Sequence, residues 1–432
     1  MKLKYIVILF ISFLALDSFS QEKLSLSEAI KRGLENNYKI RIEKNTVKTS
    51  EINNSWGNAG AFPRLSLSLS DNFMKQSGDA QLDQSNNLGA TISLTDITIF
   101  KGFSVRISKN RLQELENLSK GNYAVLIENT IENIMLAYYN VILEKERLAS
   151  SEYVLKLSKD RYNREKKKFD KGNKTSYELL QSKIAWLEDK TDFLNKELIY
   201  KNSIRDLNYV IGEKKDKTYE FTDELNFEYK DYVLVDMINK LESNNKTIKN
   251  QYINLTISKN AIKQAKSNYY PSLTSSLSYG LKNDNIIPVN SNTTNKSNYN
   301  TLSASLNLNY SIYTGGTRKR ALDIAKINQD VSQIELENKK HSLRNELLKI
   351  YQKHILNKQM LDLSIEQLDA AEHNLSLSTK KFKLGAINSF NYRDVQSVYN
   401  NSRIKNSQSK YNLIQSWIKL LKITGGLSYQ SK

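Results

Sequence analysis

The stretch Thr301–Gly316, TLSASLNLNYSIYTGG, decides how the chain is read. Leu302, Ala304, Leu306, Leu308, Tyr310 and Ile312 share one parity, while Ser303, Ser305, Asn307, Asn309 and Ser311 share the other. Strand side chains alternate between two faces, so this period of two predicts a strand with one apolar and one polar face. Its run matches the ~9–11 residues that a tilted strand needs to cross a bilayer. After Gly315 and Gly316 the apolar period becomes helical and stays so to Leu384.

Three more stretches carry the strand pattern. Leu65, Leu67 and Leu69 alternate with Ser66, Ser68 and Ser70, which predicts a strand over residues 64–76. Ala90, Ile92 and Leu94 predict one over 88–100, with a phase slip near Asp96 that reads as a bulge. Leu273, Leu277 and Tyr279 predict one over 271–282, and the opening stretch itself one over 301–314. Polar segments, 77–87 and 283–300, read as the loops within each pair.

Helical patterns fill the rest. Residues 26–62 and 233–270 each read as one helix, closed by Pro63 and Pro271, because proline disfavours helix at the residue before it. Long helices run from Gly102 to about Phe169 and from Gly316 to Leu384; after turns at 170–174 and at Gly385, closing helices end near Gly212 and Ile423.

The order of elements repeats. Pro63 and Pro271 lie 208 positions apart, as do Asn36-Asn37 and Asn244-Asn245. Beyond the strands the offset is 213, seen in Gly102 and Gly315, Gly172 and Gly385, Gly212 and Gly425. This spacing predicts an internal duplication, residues 21–223 and 224–432, behind a leader at 1–20. Ile134, Val141, Leu148, Leu155, Tyr162 and Phe169 recur every seven residues, and the same register holds Leu347, His354, Leu361, Leu368, Leu375 and Phe382. A seven-residue repeat implies left-handed coiled packing. A second row, Leu356, Leu363, Ala370, Leu377 and Leu384, lies on the opposite flank and predicts a helix between two neighbours.

Composition narrows the class. Lys2 and Lys4, the apolar run Tyr5–Leu16, and the small residues Ser18 and Ser20 read as an export signal cleaved after Ser20. No other stretch reaches the ~20 apolar residues of a spanning helix, so strands must make any membrane contact. The net charge of +18 does not point to nucleic acid, because the Lys residues interleave with acids along helical faces. Cysteine is absent, which excludes disulfides, thiolate metal sites and a lipidated N-terminal cysteine.

Four such strands cannot close a barrel alone, and open sheet edges are not tolerated in lipid. The chain must pool strands with copies of itself: two copies give a side-chain-filled barrel, three give twelve strands and room for a water-filled pore. A soluble sandwich with serine-rich strands is the alternative, but it does not account for the long helices flanking each hairpin.

At this point the chain resembles the TolC-type outer membrane efflux protein family, the outer membrane factors. The resemblance rests on the duplicated order, on Pro63 and Pro271 before strands, and on the strand ends ITIFKGF and YSIYTGG. It also rests on the hairpin motifs FDKGNKTSYELLQS and FKLGAINSFNYRDVQS. It implies a homotrimer with a 12-stranded outer-membrane β-barrel, four strands per chain, continued by a long α-helical coiled-coil barrel in the periplasm. It further implies the exit duct of a tripartite efflux pump or type I secretion system, served by a periplasmic adaptor protein and an inner-membrane transporter. In the family, acids at the hairpin tips ring the periplasmic constriction. The Gly385 motif places those two positions on Asn391 and Asp394, of which only Asp394 is acidic. Arg393 is its neighbour, and Glu178 is the matching position of the first hairpin. The alternative is that these are ordinary capping or surface charges, and for the whole chain that it is a barrel-anchored trimeric coiled coil of structural or adhesive role.

No nucleotide-binding, hydrolase or metalloprotease motif occurs, so neither catalysis nor a cofactor is expected. His354 sits on the heptad row and reads as a packed residue rather than a ligand.

Overall fold

In a computed structural model of the chain, residues 22–75, 84–173, 175–225, 231–287 and 293–427 are described. The expected leader, residues 1–20, lies outside them. The chain divides into two compact units, one of Met1–Ile42, Ala124–Asn245 and Ser342–Lys432, the other of Glu43–Tyr123 and Lys246–His341.

The elements follow in order β1 (Glu22–Leu24), α1 (Leu26–Asn36), α2 (Tyr38–Asn53), β2 (Arg64–Lys75), β3 (Gln84–Lys101), α3 (Ser104–Asp170), α4 (Ser176–Ile211), β4 (Tyr219–Phe221), α5 (Leu234–Asn244), α6 (Lys246–Ser267), β5 (Ser272–Ile287), β6 (Asn295–Asn309), α7 (Thr317–Lys383) and α8 (Ser389–Ile423). At 67 residues each, α3 and α7 are about 100 Å long for a rise of ~1.5 Å per residue.

The first helix expected over 26–62 is two helices. Asn37 leaves the helical conformation at ψ 125°. Its side chain serves both sides: Nδ2 donates to the Val210 carbonyl at 2.8 Å, and Oδ1 accepts from the Lys39 amide at 2.9 Å. Asn245 breaks the second such helix in the same way, donating to the Ile423 carbonyl at 2.9 Å. The apolar period runs through both breaks, so periodicity alone could not reveal them. Turns replace helix after Asn53, in the stretch holding Gly57 and Gly60.

Strands β2, β3, β5 and β6 form one antiparallel sheet in that order. Directly opposed residues share a face. Leu67 faces Ile92, Ile92 faces Tyr279, and Tyr279 faces Leu302; one row down, Leu65, Leu94, Leu277 and Ala304 do the same. One face is thus an apolar band across four strands. The other carries Ser66, Ser68, Thr91, Ser93, Ser278 and Ser303. The slip foreseen near Asp96 is a bulge: the register shifts between Leu94 and Ile97, and Asp96 has φ +59°.

The strands reach further into the polar segments than their side chains indicated, with β3 starting at Gln84, β5 ending at Ile287 and β6 starting at Asn295. Backbone pairing does not require apolar side chains, and Tyr299 Oη donates to Asp284 across the pair at 2.9 Å. At its other end β6 stops at Asn309, although the alternation continues to Ile312. Its partner β5 begins at Ser272, directly after Pro271, which leaves nothing for Tyr310–Thr314 to pair with.

In the other unit, β1 and β4 pair in parallel, an element that three-residue strands do not announce in sequence. The core lies around them, with Leu24, Ala29, Ile134, Tyr138, Val141, Leu207, Ile211, Ile414 and Ile418 all buried. Tyr138 Oη donates to Asp223 Oδ2 at 2.6 Å, and the same carboxylate accepts the Leu26 amide at 2.9 Å.

Along the seam of the long helices, Leu347, His354 and Leu361 are buried as the heptad requires. Three residues further on runs a row that apolar periodicity missed: Glu144, Ser151, Ser158 and Glu165 in α3, and Asn357, Ser364, Ala371 and Ser378 in α7. All eight are buried, and two of them bond across the seam: Asn357 Nδ2 donates to the Asn412 carbonyl at 2.8 Å, and Ser364 Oγ accepts from Asn406 Nδ2 at 3.2 Å. The predicted outer row, Leu356, Leu363, Leu377 and Leu384, is exposed in the single chain.

Candidate functional site

The two helix hairpins end in turns of the same build. Gly172 and Gly385 have φ +75° and +76°. In the first turn Gly172 N donates to the Phe169 carbonyl and Asn173 N to that of Lys168; in the second Gly385 N donates to Phe382 and Ala386 N to Lys381. These paired bonds satisfy carbonyls that a helix end leaves free.

The next helices start on side-chain caps. Thr175 and Glu178 form a capping box: Thr175 Oγ1 accepts the Glu178 amide at 3.4 Å, and Glu178 Oε2 accepts the Thr175 amide at 3.2 Å. In α8 the cap is Asn388, whose Oδ1 accepts the Asn391 amide at 2.8 Å. Glu178 and Asn391 therefore occupy the same cap position in the two hairpins.

Arg393 turns away from the exposed Asp394. Its Nη2 lies 3.5 Å from Asp189 Oδ1 on α4. Asp394 is exposed and has no ion-pair partner among the described residues. The four sequence-marked residues thus divide into two at caps, one in an inter-helix pair and one free acid.

Around Arg393 the structure gathers residues that, apart from Phe382 of the heptad row, sequence reading did not single out. The Arg161 guanidinium lies over the Phe390 ring, 5.5 Å from its centre. Arg161 Nε is buried without a hydrogen-bond partner. Burial, and then the charge of Arg393, lower the Arg161 pKa. Burial raises the pKa of Asp189, against the opposing pull of the Ser158 hydroxyl and of Arg393. Phe382 stacks on Tyr392 with ring centres 4.5 Å apart. A cavity of about 210 Å³ opens between α3, α4 and α8, lined by Arg147, Arg161, Asp189, Lys196, Arg393 and Asn400 among others. The Arg residues of this cluster carry no local sequence signature; only a spatial pairing of α3 with α8 would have found them.

Among the described residues no group of His, Asp and Glu could hold a metal ion, and no helix is long and apolar enough to cross a membrane. His354 is buried, with Nδ1 3.0 Å from Ser416 Oγ.

Residues 237–426 match the family model described as outer membrane efflux protein. Among solved structures, the fold matches the CmeC outer membrane channel of Campylobacter jejuni with a TM-score of 0.76 at 16% identity, covering 94% of this chain and 87% of that one. It matches the open-state MtrE outer membrane channel of Neisseria gonorrhoeae at 0.73 and 17%, covering 93% and 89%. For the outer membrane protein VceC of Vibrio cholerae the values are 0.72 and 12%, covering 93% and 96%. No curated protein matches the chain in sequence. The fold is that of the outer membrane channels. Residues 237–426 thus place the second half of the chain with the outer membrane efflux proteins, the family to which the TolC-type resemblance pointed.

Proposed function

We propose that three copies of the chain close a twelve-stranded barrel in the outer membrane and that their long helices wall a periplasmic tunnel. The assembly is a passive exit duct of a tripartite efflux pump or a type I secretion system. An inner-membrane transporter supplies the energy and a periplasmic adaptor joins the two. The carrying observation is the four-stranded sheet: its apolar face lies bare, and β2 and β6 have open edges. Lipid tolerates the first and forbids the second, so neighbouring copies must complete the hydrogen bonding.

The helices support the same reading. On α4, Tyr177, Leu180, Ile184, Leu187, Leu194 and Leu198 follow heptad spacing and are exposed. They and the bare outer row of α7 are the kind of surfaces that bury against a second copy. At the tip, Asp394 is the residue we assign to the ion-sensing constriction, beside Arg393 and Asn391, with Glu178 at the matching place of the first hairpin. A ring of three carboxylates in a narrow neck attracts cations.

Light scattering of the detergent-purified protein should give a trimer, and planar-bilayer recording should give conductance. A monomer soluble without detergent, or a trimer that never conducts, overturns the proposal.

A further inference from the structure

One cation in the recess between α3, α4 and α8 is left without an acid. Arg147, Arg161, Lys196 and Arg393 line that recess, with Asp189 and Asp192. Three of the four cations are answered. Arg147 Nη1 lies 2.6 Å from Glu144 Oε1, Lys196 Nζ 4.0 Å from Asp192 Oδ1, and Arg393 Nη2 3.5 Å from Asp189 Oδ1. The Arg161 side chain makes no ion pair and no hydrogen bond among the described residues, and its Nε is buried. Glu165, one turn along α3, does not take up this charge, because its own Oε2 is buried without a partner.

The surroundings of Arg161 sharpen the deficit. The Phe390 ring, 5.5 Å away, attracts the cation but supplies no oxygen to its five N–H donors. Arg393 stands near enough for its charge to push the Arg161 pKa down. Two like charges thus share a half-buried space in which Asp189 is one carboxylate against two guanidinium groups. Gln396, in the same wall, has no side-chain hydrogen bond among the described residues. Arg147 belongs to another place. It lies fourteen residues back on α3, about 21 Å at ~1.5 Å per residue, too far for one small ligand to bridge.

We infer that the Arg161 end of the recess is a binding site for a small tetrahedral oxyanion, phosphate, held between the guanidinium groups of Arg161 and Arg393. Phosphate brings what Arg161 lacks, oxygens that accept from buried N–H groups, and sets an opposite charge between two like ones. Guanidinium groups bind such oxygens through paired N–H bonds. The volume of about 210 Å³ is below the ~300–1,000 Å³ of pockets for drug-sized ligands and suits a small ion with water. Asp189 selects within the class. Its carboxylate accepts a hydrogen bond from the hydroxyl that phosphate keeps at neutral pH, and it repels sulfate, which has no hydroxyl to donate. The inference does not depend on the duct reading, since its residues all lie on α3, α4 and α8 of one chain.

The test uses the full chain in detergent, inorganic phosphate as the probe, and chloride to hold ionic strength constant. Equilibrium dialysis with labelled phosphate should show one saturable site per chain. Phosphate should also raise the melting temperature followed at 222 nm, because a ligand that binds only the folded state stabilises it. Arg161→Gln and Arg393→Gln should each weaken phosphate binding at least tenfold. Arg161→Lys keeps the charge without the paired donors and should fall between the parent and Arg161→Gln. Arg164→Gln, exposed on the same helix, should bind as the parent does. Sulfate should bind at least tenfold more weakly than phosphate, and Asp189→Asn should narrow that gap. Arg161→Gln removes a buried cation without a partner and should keep a cooperative melt; where it does not, Arg161→Lys and Arg393→Gln carry the comparison. No saturable uptake by the parent, phosphate binding unchanged by loss of either arginine, or sulfate bound as tightly as phosphate overturns the inference.

Discussion

Gly172 and Gly212 offer a controlled comparison. Both end a helix of the first hairpin, and both have φ +75°. A left-handed backbone costs a residue with a Cβ about 1–2 kcal/mol. At Gly172 an added Cβ meets nothing within 4 Å, so Gly172→Ala should cost only that strain. At Gly212 it would lie 2.7 Å from the carbonyl carbon and oxygen of Asn36, backbone atoms fixed at the α1–α2 break. Overpacking of this kind adds about 1–3 kcal/mol, so Gly212→Ala should cost about 2–5 kcal/mol in all. The second half repeats the comparison. Gly385 is open, whereas a Cβ on Gly425 would come within 2.8 Å of the Asn244 carbonyl oxygen. Helix loss followed at 222 nm in a denaturant series, with the full chain in detergent, would rank the four alanine variants. The expected order places Gly212→Ala and Gly425→Ala well below Gly172→Ala and Gly385→Ala. Equal losses in all four would mean that the asparagine junctions yield and that the close approach carries no energy.

Three further outcomes are expected. His354 is held neutral chiefly by burial, with Lys358 adding to the downward shift and Asp231 opposing it. The unfolded chain therefore binds its proton more readily, and stability should fall as pH drops below the ordinary histidine value of about 6.5. His354→Gln should shrink the difference in melting temperature between pH 7.5 and 5, and an unchanged difference would acquit His354. Tyr138→Phe leaves Asp223 short of a hydrogen-bond donor in the core and should cost about 1–3 kcal/mol in the same denaturant series. Asp394→Ala should weaken block of the channel by multivalent cations in planar bilayers, and unchanged block would remove Asp394 from the constriction.

What was legible in the sequence depended on how many dimensions the signal needed. Strand faces are written in one: Leu65, Leu67 and Leu69 alternate with serines, and the same residues form the apolar band. The strand ends were not, because they depend on partners; β6 stops at Asn309 only because Pro271 delays β5. The repeated Asn-Asn pairs and glycines were visible as spacings without physical meaning. The structure supplies it, setting Asn36 against Gly212 and Asn244 against Gly425. The buried row of Glu144, Ser151, Ser158 and Glu165 escaped notice because a hydropathy pattern cannot mark polar residues as interior.

The tip shows the same division between pattern and partner. The resemblance places the two acidic positions of the second hairpin on Asn391 and Asp394, of which only Asp394 is acidic, and puts Glu178 at the matching place of the first. The capping geometry gives positions 178 and 391 a different first duty, since Glu178 closes a box on Thr175 while Asn388 alone caps α8 and asks nothing of the Asn391 side chain. An acid at 178 is thus accounted for by helix initiation, and its absence at 391 costs no cap. Arg393 is likewise occupied, by Asp189. Asp394 has no ion-pair partner among the described residues, and on that physical ground we propose the ion-sensing role for it rather than for its neighbours.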